Sequence, residues 1–263
     1  MMALEPFQYL LGGASGSLVG FTLGLVGGGG SILAVPLMVY LVGVSNPHVA
    51  IGTSALAVAA NAAANLVPHA RAGNVKWRCA ALYAGAGVAG AWFGSSLGKA
   101  FDGQKLLFLF ALLMIVVGAL MLKGRHALGN PQVHLNREIA PKIVGFGAVT
   151  GLFSGFFGIG GGFLIVPGLI ASAGMPMLNA VGSSLVAVTA FGLTTSVNYA
   201  GSGLIDWPLA AVFIAGGIVG GVVGAGVAKR LSGKKGLLNT VFASLIFAVA
   251  AYMLWQSSAA LRA

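Results

Sequence analysis

Acidic side chains are almost missing from this chain. Its four carboxylates, Glu5, Asp102, Glu138 and Asp206, all fall in loops or at the ends of apolar segments. A carboxylate proton relay inside a membrane is therefore absent. No Lys or Arg lies deep in an apolar segment either. Cys79 is the only cysteine, which excludes an intramolecular disulfide and a CxxC metal site. It reads as a small buried residue just inside a helix. Charged residues make up 7% of the chain, against about 25% in soluble domains. Strict apolar–polar alternation, the mark of a membrane barrel strand, is missing too. So is a basic stretch in Met1 to Phe7, and the first apolar segment is expected to be retained rather than cleaved.

What is abundant is apolar or small. Hydrophobic residues make up 58% of the chain, and glycine occurs 43 times. Several apolar segments approach the roughly 20 residues that span a bilayer. The composition is that of an all-α, polytopic membrane protein. The net charge of +10 would suggest nucleic acid in a soluble chain. Here the basic residues cluster in short loops, a pattern that records orientation in a membrane. No basic groove interleaved with aromatics is present, so nucleic acid is not expected as a partner.

The chain is organised around the stretch Gly27 to Pro36, GGGGSILAVP, which returns as GIGGGFLIVP at Gly158 to Pro167 with its spacing kept. Each glycine costs a helix about 1 kcal/mol relative to alanine. Broken backbone survives in a membrane only where protein buries it or a wet cavity adjoins it. One break in each half is a pointer to a transporter's binding site. The helix that starts after each break offers unpaired N–H groups and a positive dipole end to an anion. Close packing of a hairpin tip is the competing reading. A nucleotide-binding glycine loop is not, since the flanking strand is missing and no Lys follows Gly160-Gly161-Gly162. No motif calls for a cofactor or a metal.

The repeat extends beyond the breaks. Ala50, Gly52, Ser54, Gly73 and Trp77 align with Ala180, Gly182, Ser184, Gly203 and Trp207. Gly87, Gly90, Gly94 and Lys99 align with Gly217, Gly220, Gly224 and Lys229. This predicts a first repeat over 1–122, a cytoplasmic linker over 123–141 and a second repeat over 142–263. Each repeat should hold a glycine-broken re-entrant pair and three membrane helices. The arms after the breaks, about 20 Å and 16 Å at 1.5 Å per residue, favour a re-entrant hairpin over two short crossings. Basic loops place Arg71–Arg78, the linker and Lys229–Lys235 inside, and Lys99–Lys105 and Asp206 outside. Equivalent loops then face opposite sides, so the repeats are inverted and both termini lie outside.

Polar side chains mark the helices after the breaks. Thr53, Asn61 and Asn65 lie near one helical face. Ser184, Thr195 and Asn198 do so in the second half, with Ser183 and Thr194 adjacent. Such groups bind oxyanions or glue helices together. His48 and His69 lie at helix ends, His126 and His134 in the linker. Either proton coupling or an interfacial position suits His69. A membrane serine protease is not supported, because Ser154 and Ser184 have no histidine at mid-span.

These features resemble the sulfite exporter TauE/SafE family of membrane permeases. The resemblance rests on GLVGGGGSILAVP at Gly24 to Pro36, GFFGIGGGFLIVP at Gly155 to Pro167, AIGTSAL at Ala50 to Leu56 and AVGSSLV at Ala180 to Val186. It implies a multi-pass inner-membrane permease, not an enzyme, moving sulfite, sulfonates, sulfoacetate or related anions. The implied site takes in Gly27, Gly29, Gly30, Gly158, Gly160, Gly161 and Gly162, with Thr53, Ser54, Ser183 and Ser184. Ser31 stands where the second copy has Gly162. Asn61, Asn65 and Thr194 join the candidate set from the polar stripes. The partners implied are a small anion and the lipid bilayer. Proton or ion coupling and a homo-oligomer stay open, as do a passive anion channel and a non-transporting scaffold.

Overall fold

The computed structural model describes residues 5–123, 135–158, 160, 162–231, 244 and 246–256. His126, His134, Lys234 and most of the linker lie outside them. Every regular element among the described residues is helical. Helix α1 covers Pro6–Val26. It starts on a capping box in which the Glu5 N–H donates to Gln8 Oε1 at 2.8 Å, satisfying an orphan donor. At Gly27 the backbone swings to φ 72°, a region open to glycine at little cost. The glycine run then winds as a tight 3-10 helix, Gly27–Leu33, instead of unwinding. It passes through Ala34–Pro36 and widens into a π turn, Leu37–Leu41; these three pieces together are α2. Pro36 has no N–H to donate, which favours such irregular winding.

Six long or medium helices follow: α3 Pro47–Arg71, α4 Trp77–Ala100, α5 Gly103–Lys123, α6 Ala140–Phe157, α7 Gly162–Ala173 and α8 Met177–Ala200. Then come α9 Trp207–Leu231 and α10 Ile246–Gln256. Helix α3 starts at Asn46-Pro47, where Asn46 Oδ1 accepts the His48 N–H at 2.9 Å. Helix α3 runs through Pro68, which the sequence suggests as a loop residue. Near a helix end the loss of one backbone bond is tolerable. Helix α4 likewise runs on far enough to include Lys99.

Four helices, Pro47–Arg71, Ala140–Phe157, Met177–Ala200 and Trp207–Val227, are long and apolar enough to cross a membrane. The exterior is apolar. Trp92, Phe93 and Leu97 of α4 and Val219, Val222 and Val223 of α9 are all exposed. Facing lipid, such side chains lose nothing, and glycine takes the interior. A Cβ on Gly16, Gly20 or Gly24 of α1 would strike the α9 backbone at Phe213, Gly217 or Gly221. The partner numbers rise together, so α1 and α9 run parallel. Gly90, Gly94 and Gly98 of α4 meet the α6 backbone at Ala148, Leu152 and Phe156 in the same way. Between these seams lie α3 and α8, packed antiparallel. Gly52 abuts Leu204, Gly192 abuts Ala55 and Ala59, and Gly182 abuts Asn74.

Candidate functional site

Both glycine breaks insert between α3 and α8. A Cβ at Gly27 would meet Val181 of α8, and one at Gly158 would meet Ile51 of α3. Val181 and Ile51 are equivalent positions in the repeat. Two residues on, Gly160, with φ 68°, lies 2.9 Å from Val58 Cγ1 and 3.4 Å from Val188 Cγ1 by the same measure. Val58 and Val188 are again an equivalent pair, so the second break reaches the middle of the α3–α8 contact. The 3-10 segment of α2 packs on both α7 and α8, which brings the two breaks together. Gly27, Gly29, Gly30 and Ser31 are buried, as are Gly158, Gly160 and Gly162. Gly161 lies outside the described residues. Gly30 fits under Thr22 and Leu23 of α1, where a Cβ would strike backbone.

The polar candidates divide by what they bond. Thr53 Oγ1 accepts the Asp206 N–H at 2.9 Å. Ser183 Oγ accepts the Lys76 N–H at 2.9 Å. Each ties a helix of one half to the connection before α9 or α4. Ser54 and Ser184 donate to their own helices, to Ile51 O at 3.0 Å and Val181 O at 2.7 Å. Thr194 Oγ1 donates to Ala190 O at 2.7 Å and Asn65 Nδ2 to Asn61 O at 2.9 Å. Asn61 is different. It is wholly buried at mid-α3, and neither end of its amide has a hydrogen-bond partner. It lies against Gly217, where a Cβ would displace the amide. No charged side chain is buried among the described residues, so the centre offers only amides, hydroxyls and backbone.

A second polar cluster escapes the sequence reading. Lys99, expected in a loop, is in the last turn of α4. Its Nζ donates to Asn198 Oδ1 at 2.6 Å, Ser202 Oγ at 2.8 Å and Asn198 O at 3.0 Å. The signal was present: Ser95, Ser96 and Lys99 fall within one helical turn, and Asn198 and Ser202 are four apart.

The family model described as sulfite exporter TauE/SafE matches residues 12–253. The chain belongs to the TauE/SafE family. A probable membrane transporter protein of Xylella fastidiosa is 56% identical across 94% of this chain and 95% of its own. The probable membrane transporter protein YunE of Bacillus subtilis is 26% identical across 86% of this chain and 88% of its own. A probable membrane transporter protein of Methanocaldococcus jannaschii is 26% identical across 97% and 100%. No solved structure matches. As a TauE/SafE member, the chain is a multi-pass membrane protein of a transporter family, and these relatives are named as transporters rather than enzymes.

Proposed function

We propose that this TauE/SafE protein carries a small oxyanion, a sulfur oxyanion such as sulfite, a sulfonate or sulfoacetate, across the inner membrane. The binding site is formed where the two breaks meet, by Gly27, Gly29, Gly30 and Ser31 with Gly158, Gly160, Gly161 and Gly162. Asn61 is its polar anchor, and Thr53, Ser54, Asn65, Ser183, Ser184 and Thr194 line or brace it. The observation that carries this reading is the Asn61 amide, buried without a partner at mid-helix. An unsatisfied buried polar group costs about 1–3 kcal/mol, a cost that makes sense where a ligand supplies the missing bond. The amide N–H donates to an oxyanion, and backbone N–H groups at the start of α7 add the helix dipole.

The reading includes two inverted repeats, 1–122 and 142–263, joined by a cytoplasmic linker over 123–141. Supporting it, the equivalent helices α3 and α8 lie antiparallel, and α1 pairs with α9 as α6 pairs with α4. Both termini are then outside.

Counterflow of labelled sulfite, thiosulfate, sulfoacetate and taurine in proteoliposomes tests the function. A saturable exchange of at least one of them is expected; exchange of none would remove the anion reading. Asn61→Leu tests the site. Leucine keeps the branched shape and removes an unpaired amide, so folded protein should still be obtained. Transport should fall by about tenfold or more, one lost bond to the anion being worth at least about 1.4 kcal/mol. Full transport by folded Asn61→Leu would remove Asn61 from the site.

A further inference from the structure

We propose that Lys99 is the anion receptor at the mouth of the transport path, and that an arriving oxyanion unlatches α4 from α8. The inference rests on the anion-transport reading above. Lys99 is half-buried at the end of α4. Its ammonium meets no carboxylate among the described residues. Its acceptors, the Asn198 carbonyl and side-chain oxygens and the Ser202 hydroxyl, are all neutral. Asn198 extends the tie: Nδ2 donates to Ser95 Oγ at 2.6 Å and Ser96 Oγ at 2.9 Å. One ammonium and one amide thus tie the end of α4 to the end of α8. At the other end of the molecule Pro68, Ala72 and Ala225 occupy the positions equivalent to Asn198, Ser202 and Ser95. No such latch can form there.

Two polar groups beside the latch are idle. The Tyr199 hydroxyl is wholly buried without a hydrogen-bond partner, and so is His48 Nδ1. The Tyr199 ring lies 5.9 Å from Lys99 Nζ and 6.4 Å from the His48 ring. A charged acceptor bonds an ammonium roughly twice as strongly as a neutral one. An oxyanion with several oxygens therefore outcompetes Asn198 and Ser202 for Lys99, and the Tyr199 hydroxyl adds a second donor. Asn198 then loses its tie to Lys99, and the α4–α8 end loosens toward the centre. Among the described residues the core holds no cation, so the charge that first attracts the anion is supplied at this mouth.

The test is cysteine accessibility in the full chain. Thr195 is wholly buried one turn inward from Asn198, and its hydroxyl has no hydrogen-bond partner, so Thr195→Cys breaks no bond. In a Cys79→Ala background, in nanodiscs, a neutral maleimide reports opening of this end. Lys99→Met should raise the labelling rate by about tenfold without any anion, the effect of losing charge-assisted bonds. Lys99→Arg should stay near the parent, and size-exclusion profiles show whether each variant is folded. Sulfate or sulfoacetate should speed labelling of the parent, compared with gluconate at equal ionic strength, and leave Lys99→Met unchanged. Equal rates in the parent and folded Lys99→Met would overturn the latch. No acceleration of the parent by either anion, or acceleration that persists in Lys99→Met, would overturn the receptor. Counterflow of the same anions reports separately on the transport reading.

Discussion

Thr53 and Ser183 occupy equivalent places in the two halves and accept equivalent bonds, from the Asp206 and Lys76 N–H groups. Ser54 and Ser184, one residue on, spend their hydroxyls on a carbonyl three residues back in the same helix. The consequences of mutation should differ accordingly. Thr53→Val and Ser183→Ala each leave a backbone N–H without an acceptor, at a cost of about 1–3 kcal/mol. Thermal unfolding in detergent should show a lowered midpoint for both. Ser54→Ala and Ser184→Ala should stay within about 0.5 kcal/mol of the parent. Equal losses in all four would mean that these hydroxyls share another role. The break glycines are less clean probes. Gly30→Val would drive a side chain into the α1 backbone, and so would test packing before it tested affinity.

At the scale of elements, glycine separates helix faces that meet protein from those that meet lipid. On α4, a Cβ at Gly94 would strike the backbone of Leu152 in α6, whereas one at Gly85 would meet nothing within 4 Å. Gly94→Ala should therefore reduce the yield of folded protein sharply, because overpacking typically costs about 1–3 kcal/mol and backbone cannot step aside. Gly85→Ala should express at the parent's level or above, since alanine is the better helix former by about 1 kcal/mol. Fluorescence-detected size exclusion compares the two directly. Comparable loss in both would mean that the α4–α6 seam is looser than its geometry. Helix existence was legible in the sequence because apolar runs and capping residues are local: Asn46-Pro47, a cap followed by a first-turn proline, starts α3. The ends were less legible. Packing carried α4 past Lys99 and α3 past Pro68, and tertiary contacts decide such overruns.

For the whole molecule, the proposed inversion has a topological consequence. Asp206 bonds Thr53 in the second turn of α3, and Lys76 follows the other end of that helix. A 25-residue helix is about 37 Å long at 1.5 Å per residue, enough to put the two positions on opposite faces of a bilayer. Cysteine placed at Asp206, in a Cys79→Ala background, should be labelled from outside intact cells by an impermeant reagent. Cysteine at Lys76 should be labelled only after permeabilisation. Labelling of both from one side would overturn the inverted arrangement.

The sequence by itself determined what local chemistry and periodicity can carry. Scarce charge and long apolar runs made this a helical membrane protein. The doubled break motif marked the family and showed a sequence pattern that occurs twice. Partnership is what only the tertiary structure decided. Nothing in the linear pattern distinguishes Thr53, whose hydroxyl holds a loop of the other half, from Asn61, whose amide is left unpaired. Nor does it show that Lys99 reaches Asn198 and Ser202. A hydrogen bond forms or fails over a few ångströms between residues that lie far apart along the chain. Those distances are set by how closely glycine lets the helices approach.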